Sequence, residues 1–294
     1  MIIDAHCHVG LEDEGIKERK GCVEWRNFVN ELVTGFGFPY PKRITLETLI
    51  EAMDAVRVDK AIICGWCYEP LPTPAPVWSV DFHGKGNDYV AECVDKYPDR
   101  FVGVMGINPV KEDAVKEVVR CVEDLHLKGI KLWPGNFSPD DKKIAYPIYE
   151  KAVEYKIPVQ IHMGPEFLPG ARLKYLNPLL LDDPAHDFPE LQIHHIHFGA
   201  SMMTREAAIV CSMNKNVSTD TCVFPLLSGD PYQLDIPMLK YAELSFPDRV
   251  MYATDYVGVY AGVYSVPVIM SLPLSLEFKN KILGENAARI YNIK

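Results

Sequence analysis

Short runs rich in β-branched residues alternate with stretches of helical periodicity from one end of the chain to the other, and this alternation leaves few folds open. Strands are predicted over Ile2–Ala5, Lys60–Cys64, Phe101–Met105, Gly129–Leu132, Pro158–His162, Leu191–His197, Asn216–Asp220 and Arg249–Thr254. Between them, Thr45–Val56 carries Leu46, Leu49, Ile50, Met53 and Val56 on one helical face, and Lys111–Leu125, Tyr146–Tyr155 and Met203–Met213 repeat the pattern. Eight strands with intervening helices over 294 residues predict an α/β protein of the TIM (β/α)8 barrel type. A doubly wound open sheet is the alternative, but no glycine-rich phosphate loop follows any strand. Residues 1–294 read as one domain, without internal repeat or break in composition. Two connections are long, near 10–42 and 66–87, and the second holds Pro70, Pro72, Pro74 and Pro76. Both leave strand C-termini, where barrel active sites lie, so both are lid candidates, with surface decoration as the other reading.

Charge and composition narrow the partners. A net charge of −10 opposes nucleic-acid binding, which wants clustered Lys and Arg, and 48% apolar with 24% charged residues is the balance of a globular chain. The longest apolar stretch, Val266–Leu276, is too short to span a bilayer and contains Pro267 and Pro273. The opening MIIDAHCHVG lacks the basic start and apolar core of a signal peptide, so a cytoplasmic location is expected, where 8 scattered cysteines stay reduced. The expected partner is a small-molecule substrate, with neither nucleic acid nor membrane, and a homo-oligomer is left open.

The residues that carry chemistry sit at strand ends. His6-Cys7-His8 places two imidazoles two residues apart on the first strand, hence on one side of it. His162 ends the fifth strand, His197 the sixth and Asp255 the eighth. A barrel gathers these ends whatever their separation in sequence. Imidazoles with a carboxylate suit Zn2+ or a similar divalent ion.

With these residues in place the sequence resembles the amidohydrolase superfamily, and within it the amidohydrolase-related family that includes aminocarboxymuconate-semialdehyde decarboxylase and γ-resorcylate decarboxylase. The resemblance covers nearly the whole chain. It runs through the opening Asp4-Ala-His-Cys-His8, Gly129-Ile-Lys-Leu132, Tyr146-Pro-Ile-Tyr-Glu-Lys-Ala152 and Pro158-Val-Gln-Ile-His-Met-Gly164. It continues through His197-Phe-Gly199, Asn216-Val-Ser-Thr-Asp-Thr221, Asp248-Arg-Val-Met-Tyr-Ala-Thr-Asp-Tyr256 and Ile282-Leu-Gly-Glu-Asn-Ala-Ala-Arg289. It implies that His6, His8, His162 and Asp255 bind the catalytic metal and that His197 and Asp255 are catalytic. One divalent ion is expected, zinc in preference to manganese or iron.

Lys131 is read in three ways: as a free ammonium at the pocket mouth for an anionic substrate, as a carboxylated bridge between two metals, or as a structural ion pair. Trp66, Trp133 and Tyr256 follow strand ends and are candidates for the substrate wall. Asp220 is a candidate to orient a ligand histidine. His195, two before His197, is expected to face the barrel interior and His194 the outer helices. Cys64-Gly-Trp-Cys67 is read as packing rather than a redox pair. The leading expectation is a metal-dependent hydrolase in which bound hydroxide attacks an amide, ester or lactone carbonyl. The alternative is a non-oxidative decarboxylase on the same residues. A barrel that binds without catalysis is the third reading.

Overall fold

The computed structural model describes residues 1–9, 45–65, 68–71, 77–80, 85–165, 172–200, 202–222, 235–256 and 266–294. Its strands are β1 (Ile3–Val9), β2 (Lys60–Gly65), β3 (Tyr68–Leu71), β4 (Val77–Val80), β5 (Phe101–Gly106), β6 (Ile130–Leu132), β7 (Val159–His162), β8 (Ile193–Ile196), β9 (Val217–Asp220) and β10 (Val250–Met251). The helices are α1 (Leu46–Val56), α2 (Lys85–Lys96), α3 (Ala114–Glu123), α4 (Tyr146–Tyr155), α5 (Asp182–Asp187), α6 (Thr204–Met213), α7 (Ile236–Ser245), α8 (Val266–Ser271), α9 (Leu276–Asn280) and α10 (Asn286–Ile290), the last two joined by a π-helical turn over Lys281–Glu285.

The main sheet has eight parallel strands in the order β1-β2-β5-β6-β7-β8-β9-β10, as a barrel requires and a doubly wound sheet does not. Beyond Met251 the chain runs on against β1. Ala5 N–H donates to Tyr252 O at 2.8 Å, Asp255 N–H to His6 O at 2.9 Å and His8 N–H to Tyr256 O at 2.8 Å, so the eighth strand position meets the first. All eight barrel strands predicted from sequence are present. The 66–87 connection contains an antiparallel hairpin of β3 and β4 that periodicity did not predict. The 10–42 insertion and Trp66 lie outside the described residues. Among the described residues, no helix is long and apolar enough to cross a membrane.

Pleating divides the core in two. Outward residues such as Ala61, Ile63, Ile130, Leu132, Val159 and Ile161 pack on the helices in the larger apolar cluster. Inward residues Ile3, Ala5, Ile62, Cys64, Val104, Met251 and Ala253 form a second cluster with Ala287, Ile290 and Tyr291 from the last helix and the residue that follows it. Local sequence fixes the helix ends: Thr45 and Thr48 form a capping box at the start of α1, and Arg57 closes that helix with φ 61°.

Candidate metal centre

Strict alternation along β1 would put Ile3 and Ala5 inside the barrel and His6 and His8 outside. The structure breaks the alternation with a β-bulge. Asp4 pairs with Ala61 but Cys7 with Ile63, so one extra residue is accommodated between them. A one-residue slip exchanges the faces of a strand. Ala5 and His6 therefore both point inward, Cys7 returns to the helix side, and His8 follows His6 into the barrel.

The other histidines are brought close by two His-x-Gly turns. Gly164 has φ +100°, and a Cβ there would lie 2.7 Å from the carbonyl carbon of Gly199. Glycine at 164 lets the ends of β7 and β8 approach, leaving His162 Nδ1 2.9 Å from His197 Nε2, while glycine at 199, with φ +77°, lets the turn after β8 pack against Thr204. His197 itself has φ 78°, followed by Phe198 at 42°, and Asp255 has φ 49°. Non-glycine residues in this region each cost about 1–3 kcal/mol, and such strain gathers at functional sites.

The six residues His6, His8, Lys131, His162, His197 and Asp255 are all buried. Asp255 Oδ1 lies 3.2 Å from both His6 Nε2 and His8 Nε2. His6 Nε2 nonetheless has no hydrogen bond in satisfactory geometry, and neither has Lys131 Nζ. The potential ligand atoms of His6, His197 and Asp255 lie within 4.8 Å of one another, as do those of His6, His8 and Cys64. His162 joins this cluster through its bond to His197.

Tautomers follow from the partners. His6 Nδ1 lies 3.1 Å from Gln160 Oε1, an acceptor. His8 Nδ1 lies 3.1 Å from the sulfur of Cys64, whose thiol donates to Cys7 O. His197 Nδ1 lies 3.3 Å from the carbonyl of Cys222, so its Nε2 is left to accept from His162 Nδ1–H. His6 and His162 thus hold the proton on Nδ1 and turn an unprotonated Nε2 inward, the arrangement of an imidazole prepared for a metal, while His8 Nε2 faces Asp255 Oδ1 and would give up its proton on taking a metal. Burial, then the Lys131 charge, holds His6 and His162 well below the usual imidazole range; burial and then His162 do the same to His197. Burial presses on His8 too, but there the Cys64 sulfur and the Asp255 carboxylate win and push it up to about 9. Burial raises Asp255, and its bond to His8 with the nearby positive charges more than offsets this and keeps it ionised below the usual carboxylate value. This donor set fits one divalent ion.

Other sequence expectations meet a different geometry. Lys131 is not at a pocket mouth: it is inside the barrel, with 3% of its surface exposed, and among the described residues no ion pair holds it. His194 and His195 are exchanged relative to expectation. His194 pairs in register with inward Gln160, and His195 pairs with outward Ile161. Counting back from His197 failed because β8 ends at Ile196 and the positive φ of His197 restarts the phase. Asp220 accepts from the backbone N–H of His197 at 3.1 Å and lies 2.8 Å from His194 Nε2. Trp133 packs over Gly135, and the Tyr256 hydroxyl lies 3.1 Å from Thr48 Oγ1 of α1, on the helix side of the barrel. Gln160 and Tyr291 were not singled out by sequence; the only signal was Gln160 two residues before His162 on one strand.

A family profile for amidohydrolases matches residues 73–293. The chain belongs to the amidohydrolase family. The matched span excludes β1, so His6 and His8 join the site on geometry rather than on that match. A 2-keto-4-carboxy-3-hexenedioate hydratase from Sphingobium sp. is 26% identical over 60% of this chain and 59% of that protein. A 2-amino-3-carboxymuconate-6-semialdehyde decarboxylase from Dictyostelium discoideum is 31% identical over 34% of this chain and 28% of that protein. The aligned part is thus less than two thirds of either curated relative. Among solved structures, a TIM-barrel protein from Bordetella bronchiseptica superposes with TM-score 0.80 at 24% identity, covering 99% of this chain and 98% of that one. A 5-carboxyvanillate decarboxylase from Novosphingobium aromaticivorans, solved with bound manganese, superposes with TM-score 0.70 at 21% identity, covering 99% of this chain and 97% of that one. These likenesses overturn hydrolysis as the leading reading: the relatives and neighbours named for a reaction include decarboxylases, and the decarboxylase alternative takes its place. One ligand shell serves either reaction, so the ligand residues alone do not choose between them.

Proposed function

We propose that this chain is a metal-dependent decarboxylase acting on a small carboxylated substrate. The observation that carries the reading is Lys131, a buried amine whose Nζ has no hydrogen-bond partner among the described residues and which stands among the site imidazoles. The carboxylate of Asp255 acts on Lys131 but would be engaged by the metal, so a carboxylate brought by the substrate would complete the pairing of the buried amine. Decarboxylases among the similar proteins, each named for a carboxylated compound, support the same class.

His6, His8, His162 and Asp255 would hold one divalent ion, zinc or manganese, which supplies a Lewis acid for a substrate oxygen. Lys131 binds the carboxylate or a neighbouring anionic oxygen and fixes the orientation of the substrate. The burial of all six site residues excludes water, which strengthens each of these contacts. The bond from carbon to the carboxyl group breaks, CO2 leaves, and the electron pair stays on carbon and takes a proton. Asp255, ionised at rest, would first take a proton from solvent or from an acidic hydroxyl of the substrate and deliver it to that carbon, while His197, held by Asp220 at its backbone and by Cys222 at Nδ1, steadies the developing charge.

A second reading has one observation behind it. The longer curated alignment is to a hydratase named for a carboxylated unsaturated keto acid, and adding water across such a double bond would use the same anion site. Incubation of the manganese- or zinc-loaded chain with carboxylated phenols and carboxylated muconate semialdehydes tests the primary reading. Release of CO2 supports it, and loss of substrate conjugation without CO2 favours the hydratase.

A further inference from the structure

Beneath the site, a chain of buried polar groups runs from the last helical segment to the histidines. Gln160 Nε2 donates to Ala5 O at 3.1 Å and to the Tyr291 hydroxyl at 2.8 Å. Ala5 O can only accept, so the amide orientation is fixed and Oε1 faces His6 Nδ1 at 3.1 Å. The Tyr291 hydroxyl accepts from Gln160 and has its own proton left to donate to His194 Nδ1 at 2.7 Å. His194 then carries its proton on Nε2 and gives it to Asp220 Oδ2 at 2.8 Å. The other oxygen of Asp220 accepts the backbone N–H groups of His197 at 3.1 Å and Cys222 at 2.9 Å. Each member has one direction of donation, set by an obligate acceptor at each end. All of these side chains are buried, so no solvent competes for the bonds.

We infer that Tyr291, Gln160, His194 and Asp220 form a positioning relay that holds His6 with Nε2 bare for the metal and pins the strained backbone of His197, linking the end of the last helix to both sides of the site. This goes beyond the proposed reaction and rests on the metal reading of that site. Tyr291 is a positioning residue: it reaches His6 through Gln160 and His197 through His194 and Asp220. Its ring belongs to the buried apolar cluster that includes Ile3 and Ala287, so Tyr291→Phe keeps that packing and removes only the hydroxyl.

The test is binding of Mn2+ by the chelator-treated full chain, with thermal unfolding of the metal-free chain alongside. Removing an outer hydrogen-bond partner of a metal-bound histidine costs about 10- to 100-fold in metal affinity, which is expected for Gln160→Met. Tyr291→Phe acts one bond further out and is expected to weaken Mn2+ binding by at least about threefold. In the Gln160→Met background the same change is expected to cost less than it does alone, since the branch to His6 is already cut and only the branch through His194 and Asp220 remains. A merely structural role for Tyr291 gives additive losses. NMR of 15N-histidine in the metal-free chain, with His6→Gln to identify its signals, should show the Nδ1–H tautomer of His6 in the wild type and its loss in Gln160→Met. A Tyr291→Phe loss below about threefold, or one that adds in full to Gln160→Met, overturns the relay. If Gln160→Met does not fold, the wild-type tautomer decides: a His6 proton on Nε2 overturns the relay, and one on Nδ1 supports it. A wild-type chain that takes up no Mn2+ or Zn2+ instead refutes the metal site.

Discussion

Replacing Lys131 by Met separates the roles open to it. The substitution keeps most of the stem volume and removes one charge from a side chain that is 3% exposed and whose Nζ has no hydrogen-bond partner among the described residues. If the ammonium receives the substrate carboxylate, the lost interaction is a charge-assisted hydrogen bond worth about 1.5–3 kcal/mol. That predicts a rise in KM for carboxylated substrates of about 10- to 150-fold at 1.4 kcal/mol per decade, with metal content unchanged. Stability should move the opposite way. Burial depresses the Lys131 pKa below its ordinary 10.5, so between the depressed value and 10.5 the unfolded chain binds more protons than the folded one. Wild-type stability therefore rises with pH across that window, and the penalty is greatest below it. Lys131→Met removes the penalty: its metal-free form should unfold at a higher temperature than wild type at neutral pH, with the gap closing as pH approaches 10.5. The assays are steady-state kinetics, elemental analysis and thermal melts across pH. Loss of bound metal in Lys131→Met, together with bicarbonate-dependent reconstitution of the wild type alone, would refute the free-ammonium account and establish a carboxylated lysine.

Two further substitutions divide metal binding from chemistry. His162→Ala should lose the divalent ion while the barrel stays folded, and His197→Gln should keep the ion and lower kcat by about 10²- to 10⁴-fold, by elemental analysis and turnover. Asp4, on the helix side of β1, is pushed up to about 7 by burial, against its bonds to Thr254 and His6 N–H. The folded chain thus binds the extra proton, and wild-type stability falls between about pH 4 and 7 relative to Asp4→Asn, measurable as a Tm difference that grows in favour of the variant.

The strand order and the clustering of His6, His8, His162, His197 and Asp255 were legible in the sequence because period-two runs and strand ends determine both. What stayed hidden was phase. Alternation states which residues share a face but not where the face switches, and here it switches at the bulge between Asp4 and Cys7 and at the positive φ of His197. The first switch is what turns His6 inward; the second misled the assignment of His194 and His195. Lys131 could be placed on the correct strand, but its burial could not, since that depends on strand ends far away in sequence. Gln160 and Tyr291 carry no motif and meet only through the packing of the last helical segment under the barrel.

The central claim is tested most directly by turnover in D2O of a substrate 13C-labelled at its carboxyl group, with the metal-loaded chain and a chelator-treated control. Decarboxylation predicts one 13CO2 released per product formed, one deuterium on the carbon that lost it, and neither in the control. Product that retains the 13C label and has gained solvent oxygen would contradict it.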